Sequence, residues 1–375
     1  MNKIILIGNG FDLAHGLRTS YKNFIDWYWK DCGNRLLHCH NRTVADGLCS
    51  FELRNNVELN CWSYVWGYYY QKKDPFLQWN LNEVVRLAKE DKVLCDFSFT
   101  SRLFQRIWKR LLLGWVDIEN EYFSLLTEEK MSIEKGFVQP NYKELNSQLD
   151  ILRDKLIQYL KCESEKETPF LDNIKNIIYR PIKEREISVT CKRALGVNAT
   201  EDITPCATMF LNFNYTKTPE KYLSDSSNGM VNYIHGNLDN PESVIFGYGD
   251  ELDSTFKQLQ NKNDNECMRH IKSIRYLESD NYRKMLEFIE SDSFQVIIMG
   301  HSCGNSDRTL LNTLFEHRNC VSVKPYYYIS KDGKDNYLDI IQNISRNFID
   351  MKLMRDRVVN KVFCEPFITY KESQE

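Results

Sequence analysis

Two polar side chains in the second half of the chain have the residue types of a catalytic pair. Asn214 lies directly after an apolar run, and His235 follows another apolar run with Gly236 beside it. An amide can bind a ribose hydroxyl, and an imidazole next to a glycine at a strand end is suited to general-base catalysis. The alternatives are an Asx-turn that closes the strand at Asn214 and a structural role for His235.

The start of the chain has the pattern of a phosphate-binding turn. An apolar run that ends at Ile7 leads into Gly8, Asn9 and Gly10, and glycines let backbone N–H groups approach an anion closely. The third glycine of a dinucleotide fingerprint would fall at position 13, where the chain has Leu13. This departure argues against an ordinary hydride-transfer dehydrogenase, and a strand that ends in a glycine turn is also ordinary turn chemistry.

The segment after this turn supports the same interpretation. Thr19 or Ser20 is placed to cap a helix that begins near Tyr21, and Arg18 is placed to contact a phosphate. A glycine turn, a cation and a helix start together favour an anion site at the end of the first strand.

Two later segments repeat the glycine pattern. Residues 247–249 and the segment from Gly300 to Asp307 both follow apolar runs, and their glycines free the backbone to approach a ligand. In the second segment, Ser306 or Asp307 is alternatively the N-cap of the next helix. Its first five residues also match the G-x-S-x-G of hydrolases, but the other glycine turns fit a nucleotide better.

Short apolar runs without polar alternation predict strands buried on both faces of a parallel sheet. They lie at residues 3–7, 208–213, 231–234, 244–246, 295–299 and 321–329. Between the first and second runs, apolar residues recur at helical spacing. The sequence therefore predicts an α/β protein with a Rossmann-like parallel sheet in residues 1–24 and 200–375 and a large, mainly helical insertion in residues 25–199.

The composition excludes several classes of protein. Twelve cysteines form no dense framework, no apolar run is long enough to cross a bilayer, and the net charge is -3. We expect a soluble cytoplasmic protein with reduced thiols and no membrane partner. Nucleic acid is not expected as a partner, because it would need a local basic patch.

Two alternative metal sites have weaker patterns. The possible zinc ligands include no C-x-x-C pair: Cys32, His38, Cys39, His40 and Cys49. Asp117 and Glu119 are spaced two apart in a helical region, where such acids usually form a solvated or salt-bridged face. We therefore predict no metal site.

Taken together, the motifs resemble the AbiH family of bacteriophage abortive-infection proteins. The segments that carry the resemblance are residues 6–13, 16–21, 115–120, 213–216, 235–236, 246–249 and 300–307. Their order and rough spacing agree nearly from end to end. The resemblance implies a role in anti-phage defence, with a phage trigger or a partner defence protein and a homo-oligomer as further expectations.

The same succession is more distantly similar to sirtuin-like NAD-consuming domains. That similarity implies that Asn214 binds ribose and positions water, that His235 is the base, and that NAD is substrate or ligand. The residues expected to contact the nucleotide are Gly8, Asn9, Gly10, Asp12, Thr216, Gly236, Gly300, Ser302 and Asp307. The paired C-x-x-C motifs of the sirtuin zinc ribbon are missing, which disfavours protein deacylation.

The leading functional hypothesis is cleavage of NAD at the nicotinamide glycosidic bond. Loss of NAD would then halt an infected cell. Two alternatives remain: a nucleotide sensor without chemistry of its own, and a metal-dependent nuclease that uses Asp117 and Glu119. The basic residues just upstream, in residues 102–110, give the nuclease hypothesis a local positive side.

Overall fold

The computed structural model describes residues 1–37, 41–53, 95–111, 117–134, 141–195, 202–223 and 228–369. Contacts divide the chain into two compact units. The first, here called the sheet unit, comprises Met1–Thr19 and Leu160–Glu375, and the second, the helical unit, comprises Ser20–Tyr159. Residues 160–195, which the sequence assigns to the insertion, group by contacts with the sheet unit.

Six parallel strands form the main sheet, in the order β6-β5-β1-β7-β8-β9. The strands of the described residues are β1 Asn2–Ile7, β2 Thr43–Ala45, β3 Cys49–Leu53, β4 Cys95–Phe99, β5 Thr208–Asn212, β6 Gly229–Tyr233, β7 Phe294–Met299, β8 Cys320–Ile329 and β9 Pro366–Thr369. Counted within the main sheet alone, this is the 3-2-1-4-5-6 order of doubly wound dinucleotide-binding folds. The α/β class and the Rossmann-like parallel sheet are confirmed.

Helices connect and cover the strands. In the described residues they are α1 Asn9–Ala14, α2 Tyr21–Leu37, α3 Arg102–Leu111, α4 Ile118–Glu134, α5 Tyr142–Ser164, α6 Asp172–Tyr179, α7 Val189–Leu195, α8 Ser254–Gln260, α9 Lys272–Arg275, α10 Asn281–Ser291, α11 Arg308–Phe315, α12 Tyr337–Arg346 and α13 Met351–Arg357. Helix α10 packs on β6, while α11, α12 and α13 pack on β8. None of these helices has the length and apolar content to cross a bilayer.

Strand β1 is buried on both faces, which accounts for its uninterrupted apolar sequence. Ile4 and Leu6 pack in one apolar cluster, and Ile5 and Ile7 pack in a second. Because successive side chains of a strand point to opposite faces, these two clusters lie on the two sides of the sheet. The central strand is therefore fixed by packing from both layers.

The direction of strand addition reverses between β1 and β7. From β1 the chain adds β5 and β6 on one side, then returns to add β7, β8 and β9 on the other. In open α/β sheets, ligands bind outside the carboxyl ends of the strands at such a switch point. The segments after β1, β5, β6 and β7 all lie at this edge, which we call the carboxyl edge.

One predicted strand, at residues 244–246, is wrong. These residues are buried but belong to no strand, and Ile245 N–H donates a single backbone bond to His235 O at 2.9 Å. An apolar run of three residues indicates that the residues are buried, and residues of a loop packed on the core are buried as well. The glycine segment at residues 247–249 therefore follows a buried loop, in which Tyr248 bridges to Ile271.

The helical unit has a core of aromatic side chains. The ring of Phe104 on α3 lies 4.8 Å from that of Tyr28 and 5.7 Å from that of Trp29, both on α2. Helix α2 begins at Tyr21 as predicted, and Ser20 Oγ accepts the N–H of Asn23 at 3.2 Å. The unit also contains the antiparallel sheet β2-β3-β4, which the sequence did not predict.

Candidate functional site

A buried carboxylate, Asp307, contacts three titratable side chains at the carboxyl edge. Its Oδ1 atom lies 2.8 Å from Lys272 Nζ and 3.3 Å from His235 Nε2. Its Oδ2 atom lies 3.6 Å from His301 Nε2. Asp307 is 8% exposed and Lys272 is 1% exposed. We call these four residues the Asp307 cluster.

Four separate segments bring the Asp307 cluster together. His235 is the second residue after β6, and His301 is the second residue after β7. Lys272 begins α9, and Asp307 directly precedes α11. Since β5 and β1 lie between β6 and β7, the two imidazoles reach Asp307 across the ends of the two central strands.

The backbone around His301 fixes the orientation of its ring. Cys303 N–H donates to His301 Nδ1 at 3.0 Å, so Nδ1 is the unprotonated nitrogen and Nε2–H faces Asp307. Cys303 has φ 54°, in the left-handed region that non-glycine residues seldom adopt. A strained residue thus holds the imidazole that contacts the carboxylate.

Aromatic rings enclose His235. The hydroxyl of Tyr276 lies 3.2 Å from His235 Nε2, and the two rings are stacked. Phe213 packs edge-on against His235 and also contacts the ring of His301. Gly236 next to it has φ +80°, and a Cβ there would meet Ser243 O at 2.1 Å. Position 236 therefore requires a glycine, because the backbone of Ser243 lies where a Cβ would be.

The partners of Asp307 and His235 set their charges at neutral pH. Burial raises the pKa of Asp307. The Lys272 ammonium and the imidazole of His235 lower this pKa by more than burial raises it, so it lies well below its ordinary value. Burial and the charge of Lys272 lower the pKa of His235. Asp307 is therefore ionised, and His235 is a neutral imidazole able to accept a proton.

A second buried carboxylate, Asp12, has hydroxyl and amide partners in the part of the chain that the structure describes. Its Oδ2 atom accepts from Thr216 Oγ1 at 2.7 Å, and Thr218 Oγ1 lies 3.3 Å from Thr216 Oγ1. Its Oδ1 atom has no hydrogen-bond partner among the described residues. Burial raises the pKa of Asp12 to about 6, although hydrogen bonds from Thr216, Thr218 and Asn214 oppose the shift. We call Asp12, Thr216 and Thr218 the Asp12 cluster.

The glycine turn after β1 packs directly against the turn after β7. A Cβ at Gly8 would lie 2.4 Å from His301 Cα, and one at Gly10 would lie 2.8 Å from Gly300 Cα. Gly10 N–H also donates to Gly300 O at 2.9 Å. These glycines are thus required by the contact between two backbone segments, and the N–H of Gly10 already has a partner.

Asn214 ties the end of β5 to the same turn. Its Nδ2 donates to Gly8 O at 3.0 Å, and its backbone N–H donates to Asn212 Oδ1 at 3.1 Å. The Asx-turn at this strand end is therefore made by Asn212. With Nδ2 engaged, Oδ1 is the atom of Asn214 that remains to accept a bond from a ligand.

The remaining predicted contact residues lie nearby with different surroundings. Asn9 Oδ1 accepts from Thr19 Oγ1 at 2.6 Å. Ser302 is exposed, and its carbonyl accepts from Asn343 Nδ2 at 2.8 Å. Asp307 precedes α11 without capping it through its side chain, because the carboxylate faces inward.

Sequence reasoning missed three members of this site. Lys272 and Tyr276 lie in a segment without a strand or a motif, and His301 lies in a glycine motif that assigns it no role. A lysine at the start of a short helix looks like an exposed position. Only the burial of Lys272 beside Asp307 marks it, and burial depends on the tertiary fold.

The acidic residues of the nuclease hypothesis have local partners. Asp117 Oδ1 accepts the N–H groups of Glu119 and Asn120 at 3.0 and 3.2 Å, so Asp117 caps α4. Arg106 on α3 pairs with Glu121 and Glu128 on α4. In the described residues, no group of three or more Cys, His, Asp or Glu side chains is arranged to hold a metal ion. Positions 38–40 of the zinc alternative lie outside the described residues.

Fold and site together define a Rossmann-like α/β protein with a buried, charged cluster at the carboxyl edge of its sheet. The family model of bacteriophage abortive infection AbiH matches residues 4–328. The chain therefore belongs to the AbiH family, and the match includes most of β1, the segments after β5, β6 and β7, and the helical unit. No match was found among curated proteins.

Proposed function

We propose that this AbiH protein acts in abortive infection by hydrolysing NAD at the nicotinamide glycosidic bond. The observation that carries the proposal is the contact of buried Asp307 with His235 Nε2 at 3.3 Å, at the carboxyl edge of a Rossmann-like sheet. This edge is where doubly wound sheets bind nucleotides. Family membership supports the defence role.

His235 would act as the general base. When Nε2–H faces Asp307, the other ring nitrogen, Nδ1, is the basic atom. Burial and Lys272 lower the pKa of His235, which keeps the ring neutral and able to accept a proton near neutral pH. Asp307, in turn, would stabilise the imidazolium that forms, as the carboxylate does in histidine-dependent hydrolases.

Asn214 would hold the ribose or the attacking water through Oδ1, since its Nδ2 donates to Gly8 O. In the reaction the C1′–N bond breaks, and nicotinamide leaves with the bonding electron pair. The water oxygen bonds to C1′, and its proton passes to His235, giving ADP-ribose and nicotinamide. The charged cluster would favour the oxocarbenium-like transition state.

Nicotinamide release tests the proposal. The full chain is incubated with NAD, alone and with phage lysate, and the products are separated by chromatography. We expect His235→Ala to lower the rate by about 100-fold or more. His317→Ala is the matched control, because His317 also pairs with a carboxylate, Glu290, at 3.2 Å but lies outside the carboxyl edge. Intact NAD under both conditions, or equal loss in both variants, contradicts the proposal.

Two observations favour a second candidate, a nucleotide sensor without chemistry of its own. His235 is only 4% exposed, and the N–H of Gly10 is paired with Gly300 O. A sensor needs the edge to bind a nucleotide but does not need His235 to reach it. Tight binding of NAD without release of nicotinamide, before and after addition of phage lysate, would distinguish the sensor from the hydrolase.

A further inference from the structure

A cavity beside the carboxyl end of β5 has an excess of positive charge. Its volume is about 320 Å³, and its lining includes Lys166, Lys217 and Lys221. Asp239 is the one carboxylate among the lining residues that the structure describes. Glu163, which pairs with Lys166, is a second carboxylate beside the cavity, so three ammonium groups and two carboxylates leave a formal charge of +1. We call this site the lysine cavity.

The three lysines are held at the cavity but keep donors free for a ligand. Lys217 pairs with Asp239, and Lys221 Nζ donates to Thr168 O at 2.6 Å. Lys166 pairs with Glu163. An ammonium group has three donors, so one such partner leaves two N–H groups on each lysine. Two of these partners are carboxylates and the third is a backbone carbonyl, so the cavity keeps one positive charge in excess.

The cavity lies at a defined place in the topology. Strand β5 is the second strand of the 3-2-1-4-5-6 order. In dinucleotide-binding proteins of this order, the ribose of the adenosine half lies near the end of that strand. An acidic residue there accepts from the 2′-hydroxyl of NAD, whereas a basic residue accommodates the 2′-phosphate of NADP.

The residues after β5 fit a site for the 2′-phosphate of NADP. Lys217 and Lys221 both lie in this segment and line the cavity. The acid between them, Glu220, accepts from Tyr233 Oη and does not line the cavity. Thr218, at 5% exposure, also lines the cavity, and its hydroxyl lies 3.3 Å from Thr216 Oγ1, which belongs to the Asp12 cluster. The described cavity therefore offers ammonium groups where an NAD-selective site offers a carboxylate.

We propose that the lysine cavity binds the 2′-phosphate of a nicotinamide dinucleotide, so that the protein selects NADP over NAD. A phosphomonoester carries about -1.5 to -2 charges near neutral pH, which complements the formal charge of the cavity lining. This inference rests on the proposed function for the class of ligand. It concerns selection between two dinucleotides that differ only in one phosphate.

Binding to the full chain tests the inference. NADP and NAD are titrated separately by calorimetry at low salt, and we expect NADP to bind about tenfold more tightly. The Lys217→Gln/Lys221→Gln variant should bind the two dinucleotides within about twofold of each other. Lys284→Gln is the matched control, because Lys284 is similarly exposed and pairs with one aspartate, Asp280. It should keep the wild-type preference.

A third variant changes the charge in the opposite direction. Asp239→Asn removes the carboxylate from the lining, so NADP should bind about threefold more tightly while NAD changes little. Loss of folding cannot mimic this gain. Inorganic phosphate should compete with NADP more strongly than with NAD.

Three outcomes overturn the inference: equal binding of NADP and NAD, a preference that survives in the double variant, or no binding of either dinucleotide. The nicotinamide assay separates it from the proposed function. Selective NADP binding without nicotinamide release from either dinucleotide overturns the proposed function alone. Nicotinamide release from NAD without selective NADP binding overturns this inference alone.

Discussion

Asp307 and Asp12 are both buried at the carboxyl edge, yet their pKa values shift in opposite directions. Lys272 and His235 lower the pKa of Asp307 well below its ordinary value. Asp12 has hydroxyl and amide partners, and burial raises its pKa to about 6. Since burial favours the neutral acid in both places, the partners decide the difference. One edge of the sheet thus holds both a fixed charge and a titratable one.

The comparison separates two kinds of site. The Asp307 cluster contains a carboxylate, an ammonium group and two imidazoles, which are groups that can transfer protons in general acid–base catalysis. The Asp12 cluster can only gain or lose one proton and adjoins the lysine cavity through Thr216 and Thr218. We therefore propose that catalysis takes place at the Asp307 cluster and ligand selection beside the Asp12 cluster.

The largest expected effect on stability comes from removing the partner of Lys272. Asp307→Ala leaves a buried ammonium without its carboxylate, which should cost about 3–5 kcal/mol of the free energy of unfolding. Urea denaturation measures the change. Asp307→Ala/Lys272→Met should recover much of the loss, because no buried charge remains. A loss below about 1 kcal/mol in Asp307→Ala would show that the pair is solvated.

The next effect concerns the backbone contact between the two turns. Gly300→Ala places a Cβ 2.2 Å from Phe11 N at φ +74°, so we expect a loss of about 3 kcal/mol or more. Gly16→Ala is the matched control, since Gly16 has φ +83° but nothing within 4 Å. It should lose only the strain of the left-handed conformation, about 1–2 kcal/mol. Equal losses in thermal or urea unfolding would show that the close backbone contact does not require a glycine at position 300.

The pH dependence of stability should distinguish the two acids. The raised pKa of Asp12 contributes stability that is complete below its ordinary value of 3.8 and is lost as the pH rises through about 6. The total is about 3 kcal/mol. Asp12→Asn should flatten the unfolding free energy in this window, as followed by urea denaturation at several pH values. Asp307 contributes in the opposite sense, since its stabilisation is lost as the pH falls below 3.8. An unchanged profile in Asp12→Asn would contradict the raised pKa.

The smallest effect is the loss of one hydroxyl. Thr216→Val removes the donor to Asp12 Oδ2 and should cost about 1 kcal/mol. It should also raise the pKa of Asp12 further, because a hydrogen bond to the charged form is lost. NMR titration of the Asp12 carboxyl carbon measures this change. Thr218→Val should shift the pKa of Asp12 less, because the Thr218 hydroxyl contacts Thr216 Oγ1. A larger shift in Thr218→Val than in Thr216→Val would contradict the direct hydrogen bond from Thr216 to Asp12.

The sheet could be predicted from sequence because its strands are buried on both faces. An uninterrupted apolar run such as Ile4–Ile7 is typical of a strand between two helix layers. The run at residues 244–246 failed because a buried loop produces the same pattern, and the strand β9 was missed because it is short and has little apolar periodicity. Strand ends identified His235 and Asn214, but Lys272 reaches the cluster from the first position of the short helix α9, which no local pattern marks.

The rate of nicotinamide release tests most directly whether the Asp307 cluster, and not the Asp12 cluster, carries the proposed catalysis. The rate is measured from NAD and from NADP, for His235→Gln and for Asp12→Asn, with phage lysate present. We expect that the wild-type chain releases nicotinamide, that His235→Gln loses about 100-fold or more, and that Asp12→Asn stays within about threefold of the wild type. Release that is absent in the wild type, or that survives in His235→Gln, would contradict the catalytic role of the Asp307 cluster.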